Sequence, residues 1–165
     1  MLDYALHSPQ GLAGVIASGP ALGGLPVSPL LLALAKLLSS LWPRFTLDSK
    51  LDAIAISRDP AIVEAYVKDP LVHSLATPRL GIELLKAMEW TQAHAAEMKV
   101  PCLIVHGGAD RLAPPEASRL FYEKMAIADK ERHEYEGYYH EVFNEVGKER
   151  VLADVEAWLE PHLWI

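Results

Sequence analysis

Val100-Pro101-Cys102-Leu103-Ile104-Val105-His106-Gly107-Gly108-Ala109-Asp110 decides the fold. Residues 102–105 are apolar without a break, the pattern of a strand buried on both faces. Gly107 and Gly108 end the run and permit a tight turn. An acid, Asp110, stands just beyond. Such strands belong to parallel sheets covered by crossover helices, and the flanking sequence agrees. Pro114 to Met125 reads as a helix. Arg132 to Tyr135 reads as a second short strand, followed by the loop Glu136-Gly137-Tyr138-Tyr139-His140. Lys148 to Glu160 is a last amphipathic helix, with Val151, Val155, Trp158 and Leu159 on its apolar side.

Upstream, Met1 to His7 reads as the tail of a helix stopped at Ser8-Pro9-Gln10-Gly11. Gly14 to Ser18, closed by Gly19-Pro20, reads as another buried strand. No good strand is predicted from about Ala21 to Glu97. Val27 to Trp42 reads as helix, with Leu30, Leu34, Leu37, Leu38 and Leu41 on one face. A second helix opens at Asp59-Pro60 and ends at Asp69-Pro70-Leu71. A third runs from Pro78 to about Met98, with Ile82, Leu85 and Met88 on one side. The fold class is therefore α/β: three parallel strands with crossover helices and a helical insertion between the first and second. Residues 1–20 and 98–165 form the core, and residues 21–97 the insertion.

The 165 residues are 51% hydrophobic and 22% charged, the composition of a globular domain rather than a disordered chain. A formal charge of −7, with its cations scattered, excludes a general nucleic-acid footprint. The one cysteine, Cys102, lies in the apolar run and reads as a core residue. It allows no disulfide framework and no thiolate metal cluster, which fits a reducing, cytoplasmic setting. The opening residues lack the basic and apolar regions of a signal peptide. The apolar stretch from Val27 to Trp42 is shorter than the roughly 20 residues that cross a bilayer.

In open parallel sheets, sites form beyond the carboxyl ends of the strands, which is where Asp110 and His140 fall. Asp110 suits the acid that orients an imidazole and stabilises its charged form. It also suits a cap for the helix that starts near Pro114. His140 suits a general base that takes a nucleophile's proton and returns it to the leaving group. It could equally be a surface loop histidine. The pair says more than either residue alone, because an acid and then a histidine one strand later is the order that α/β-hydrolases use after their serine. His106 reads as a core histidine or one supporting the site, His133 as exposed, and Ser18 as a turn residue that can line a pocket. No spacing of His and carboxylates suits zinc, and no phosphate-binding or dinucleotide-binding glycine motif is present. No metal or organic cofactor is expected.

The motif Val105-His106-Gly107-Gly108-Ala109-Asp110-Arg111-Leu112-Ala113-Pro114 resembles the acid motif of the monoacylglycerol lipase and lysophospholipase group of α/β-hydrolases, the serine aminopeptidase-like hydrolases. Tyr135-Glu136-Gly137-Tyr138-Tyr139-His140-Glu141 is similar to the group's histidine motif. Ser57-Arg58-Asp59-Pro60, Tyr66-Val67-Lys68-Asp69-Pro70-Leu71 and Gly81-Ile82-Glu83-Leu84-Leu85 resemble its cap, and these narrow the family. The resemblance covers nearly the whole chain. It implies a serine hydrolase of monoacylglycerol, lysophospholipid or similar small esters, with Asp110 and His140 in the triad and residues 21–97 as cap or lid.

The family's nucleophile motif, Gly-x-Ser-x-Gly, is absent. No serine of this chain has glycines two residues away on both sides. By the resemblance, Asp3-Tyr4-Ala5-Leu6-His7-Ser8-Pro9 ends the helix that follows that serine, so Met1 lies inside it. The resemblance also implies that the chain alone is inactive. Further expectations are self-association through the open edge of the first strand and weak peripheral contact of the leucine-rich helix with lipid aggregates. The alternative is a catalytically dead fragment or a binding module derived from such a hydrolase. A peptidase-like relative with the same core is the nearest competing enzyme class.

Overall fold

The computed structural model describes residues 1–23 and 27–163. In chain order the elements are α1 (Leu2–His7), β1 (Val15–Ser18), α2 (Pro29–Leu41), β2 (Leu47–Asp48), α3 (Pro60–Lys68), β3 (Leu75–Ala76), α4 (Pro78–Ala93), β4 (Cys102–Gly107), α5 (Pro115–Lys124), β5 (Lys130–Tyr135) and α6 (Lys148–His162).

β4 is the centre of a parallel sheet of order β1-β4-β5, with Val15 opposite Cys102 on one side and Lys130 opposite Cys102 on the other. All six residues of β4 are buried, and their alternation divides the core. Cys102 and Ile104 join Leu2, Ala5, Phe121 and Met125 on the face covered by α1 and α5. Leu103 and Val105 join Tyr135, Val151 and Trp158 on the face covered by α6. An unbroken apolar run is what a strand needs when each of its faces meets a helix layer. Burial also pushes the Cys102 thiol up to about 12, so it is a packing residue and not a nucleophile.

The three long helices between β1 and β4 all open in the same way, with a polar cap followed by proline. Ser28, Asp59 and Thr77 each accept a hydrogen bond from a backbone amide of the first turn, and Pro29, Pro60 and Pro78 follow. Proline at the first position has no amide to leave unpaired and is already set at a helical φ.

Several boundaries depart from the sequence reading. β4 runs on to Gly107, and β5 starts at Lys130 rather than Arg132. The third helix ends at Ala93, not near Met98. His94 breaks it, and a single 3-10 turn, Ala95–Glu97, follows. Two two-residue strands, β2 and β3, pair antiparallel inside the helical insertion. They are too short to leave a period-2 signal. The leucine face of α2 points mostly outward: Leu30 is 82% and Leu41 75% exposed, and Leu34 and Leu37 are also exposed. α2 packs on α4 and buries Ser39 instead. Leucine periodicity shows that a helix has an apolar face, not what covers it. His133, read as exposed, is half-buried beside Glu131 and Asp154.

Candidate active site

The carboxyl ends of β4 and β5 meet. Gly108 N–H donates to Tyr135 O at 2.8 Å, and Ala109 N–H donates to Tyr138 O at 2.9 Å, so the turn after β4 is bonded to the loop after β5. Gly107 is required here for close approach rather than for a turn conformation. A Cβ at this position would lie 2.0 Å from the carbonyl oxygen of Tyr139. Gly19, at the end of β1, closes the site from a third strand. It has a left-handed φ of 49°, and a Cβ there would lie 3.1 Å from Nδ1 of His140.

Within this junction Nδ1 of His140 lies 2.8 Å from Oδ2 of Asp110. A carboxylate only accepts, so Nδ1 carries the proton and the neutral ring keeps its lone pair on Nε2. The Asp110 side chain is fully buried, while that of His140 is 32% exposed. Burial pushes the Asp110 carboxyl up. Hydrogen bonds from His106, His140 and the Ala113 amide outweigh it and hold the group well below the usual carboxylate range. The hydrogen bond to Asp110 raises His140 above the ordinary imidazole value, against its own partial desolvation.

Asp110 does not cap the helix that follows it. Its Oδ1 accepts from Leu112 N–H at 2.8 Å and Ala113 N–H at 2.9 Å, capping the loop rather than the helix. α5 begins at Pro115 without a side-chain cap. Oδ2 is left for the imidazole. His106 supports the acid from beneath. Its Nε2 is 2.8 Å from Ala113 O and 3.2 Å from Asp110 Oδ2, so the proton sits on Nε2. Its buried Nδ1 has no partner among the described residues.

Ser18 borders a cavity of about 300 Å³ lined also by Leu2, Ala17, Leu22, Leu84 and Met88. The next residue, Gly19, is the one whose added Cβ would meet His140, so the cavity lies close to the histidine along β1. Among the described residues no group of three His, Cys, Asp or Glu side chains could hold a metal ion.

Sequence reasoning missed Glu145. It lies in the His140 loop, is 3% exposed, and accepts from the amide and Nε of Arg58 and from the Tyr139 amide. Its signal was indirect: a carboxylate five residues after the histidine, and an arginine far upstream in the cap-like motif.

A parallel sheet with helices on both faces, an acid after one strand and a histidine after the next places the chain among the α/β-hydrolases. Residues 1–147 match the family model described as serine aminopeptidase, S33. The chain is 40% identical over 162 residues to a monoacylglycerol lipase of Mycolicibacterium smegmatis, covering 97% of this chain and 58% of the relative. It is 30% identical to the monoglyceride lipase of Rattus norvegicus, covering 94% and 52%. Among solved structures, the monoacylglycerol lipase of Paleococcus ferrophilus superposes with a TM-score of 0.92 at 36% identity, covering 98% of this chain and 63% of that one. A soluble variant of monoglyceride lipase from Saccharomyces cerevisiae, solved with a substrate analog, gives 0.83 at 26%, covering 98% and 58%. The chain belongs to the serine aminopeptidase S33 family of α/β-hydrolases, and it spans under two thirds of the length of these relatives.

Proposed function

We propose that this chain carries the acid, the base and the cap of a serine hydrolase that cleaves carboxylic esters of monoacylglycerol or lysophospholipid type. The observation that carries the reading is the 2.8 Å hydrogen bond from His140 Nδ1 to a buried, ionised Asp110. It fixes the tautomer that leaves Nε2 free to accept a proton. The serine comes from outside these 165 residues. His140 takes its proton as it attacks the ester carbonyl, then returns that proton to the departing alcohol. Asp110 holds the ring and offsets its positive charge without itself being protonated. Residues 21–97 are the cap over a core of 1–20 and 98–165, and the apolar cavity beside Gly19 suits an acyl chain. The exposed leucines of α2 support peripheral contact with lipid aggregates, and no helix among the described residues is long and apolar enough to cross a membrane.

The test uses the protein made from the complete reading frame. Monoacylglycerol hydrolysis and labelling by a serine-reactive fluorophosphonate are both expected, with hydrolysis lost in His140→Ala. A panel including lysophospholipid and aminoacyl-arylamide substrates separates ester from amide cleavage. A second reading, a remnant that binds without chemistry, rests on the absence of Gly-x-Ser-x-Gly from these residues. No labelling and no hydrolysis on any substrate would overturn the hydrolase reading in its favour.

A further inference from the structure

The loop that presents His140 is held by the cap-like segment as well as by the sheet. Glu141 N–H donates to Ile56 O at 2.8 Å, and His140 N–H to Ala55 O at 3.4 Å. Ser57 Oγ donates to Asn144 O at 2.9 Å. At the centre of these contacts is Glu145, whose side chain is fully buried. Its Oε1 accepts from Arg58 N–H at 3.0 Å and Tyr139 N–H at 2.9 Å. Its Oε2 accepts from Arg58 Nε at 2.8 Å and Val146 N–H at 3.1 Å. The Arg58 guanidinium continues across the loop, lying 4.6 Å over the Tyr138 ring and donating from Nη2 to Val146 O at 3.0 Å. One carboxylate thus joins the residue before His140 to the residue before the N-cap of α3.

Net stability is a poor reason to bury this pair. Desolvation of the carboxylate offsets much of the attraction, and apolar replacements of buried pairs are often neutral or stabilising. What the pair supplies is geometry, because a planar fork and a carboxylate fix direction as well as distance. We propose that Arg58 and Glu145 are positioning residues that tie the cap to the histidine loop and hold the His140 ring on Asp110. The inference deepens the reading of His140 as the base and rests on it. The charged and titratable groups facing His140 are Asp110, through its hydrogen bond, and Glu141 beside it. Arg58 reaches the ring only through the loop.

The test is the His140 titration followed by imidazole NMR in the 165-residue chain and its variants, together with the exchange rate of the Nδ1 proton. The expected result is that Arg58→Gln and Glu145→Gln both lower the midpoint toward the ordinary value of about 6.5 and speed that exchange. Arg58→Lys restores part of each. The sign in Arg58→Gln separates positioning from a through-space charge effect, because removing a nearby cation by itself raises an imidazole midpoint. A raised or unchanged midpoint in folded Arg58→Gln overturns the proposal. Arg58→Gln leaves the fully buried Glu145 carboxylate with only its three backbone amides; where that variant fails to fold, Glu145→Gln, which leaves unpaired only the 36% exposed Arg58 side chain, decides through the exchange rate, and an unchanged rate overturns the proposal. Arg119→Gln, which breaks a surface pair with Glu134, serves as the control and leaves the titration unmoved. Failure of ester hydrolysis would sink the function while leaving this coupling intact, so the two are judged separately.

Discussion

Asp110 divides its two oxygens between tasks, one bonded to backbone amides and one to an imidazole. Holding the carboxylate rigid from one side lets it orient His140 from the other. Because the folded midpoint of His140 is raised, its pairing contributes stability that is fully present below about pH 6.5, the unfolded value, and is lost as pH rises through the folded midpoint. The urea midpoint of the chain should therefore exceed that of His140→Gln most at low pH, with the gap closing as pH rises. A gap that widens with pH would contradict the hydrogen-bond assignment. For the proposed reaction the sign is opposite. A histidine base works only when neutral, so if His140 is that base, kcat/KM of the serine-containing protein should rise through a midpoint above about 6.5. Gly107 sets a steric limit at the same scale. Gly107→Ala drives a Cβ into the Tyr139 carbonyl and should cost at least about 1–3 kcal/mol, as for overpacked cores, read from denaturant unfolding.

Among the elements, α2 and α3 have caps that the sequence states and contacts that it does not. Asp59 accepts from Ala61 N–H at 2.9 Å. Asp59→Ala should destabilise the chain by about 0.5–2 kcal/mol, measured by thermal or urea melts, and should loosen the Arg58 end of the clamp with it. α2 leaves Leu30, Leu34, Leu37, Leu41 and Trp42 exposed. Flotation with phospholipid liposomes should show weak binding that Leu30→Glu with Leu34→Glu abolishes. Binding that survives both changes would move the contact elsewhere.

For the whole molecule the sheet edge matters most. β1 pairs with β4 on one side, and no strand among the described residues pairs with the other. An open parallel edge offers unpaired backbone groups to another chain. Light scattering should show association that grows with concentration in the 165-residue chain. Ser18→Lys, at an exposed position on that strand, should shift it toward monomer. A monodisperse monomer across the concentration range would show that the edge is protected.

The sequence by itself determined the α/β class, the central strand, the helix starts and the two polar residues beyond the strand ends. These depend on local rules: unbroken apolar runs, proline after a polar cap, glycine where a strand stops. The family followed from short motifs on the same elements. Only the tertiary structure decided that α2 turns its leucines outward, because periodicity defines a face and not its cover. Only the tertiary structure brought Arg58 to Glu145, residues 87 positions apart. It also showed that Gly107 is a glycine for the sake of the Tyr139 carbonyl and that His106 braces Asp110. Each of these is a contact between distant parts of the chain, set by how elements pack. No local pattern encodes which carbonyl, carboxylate or ring will arrive next to a given residue.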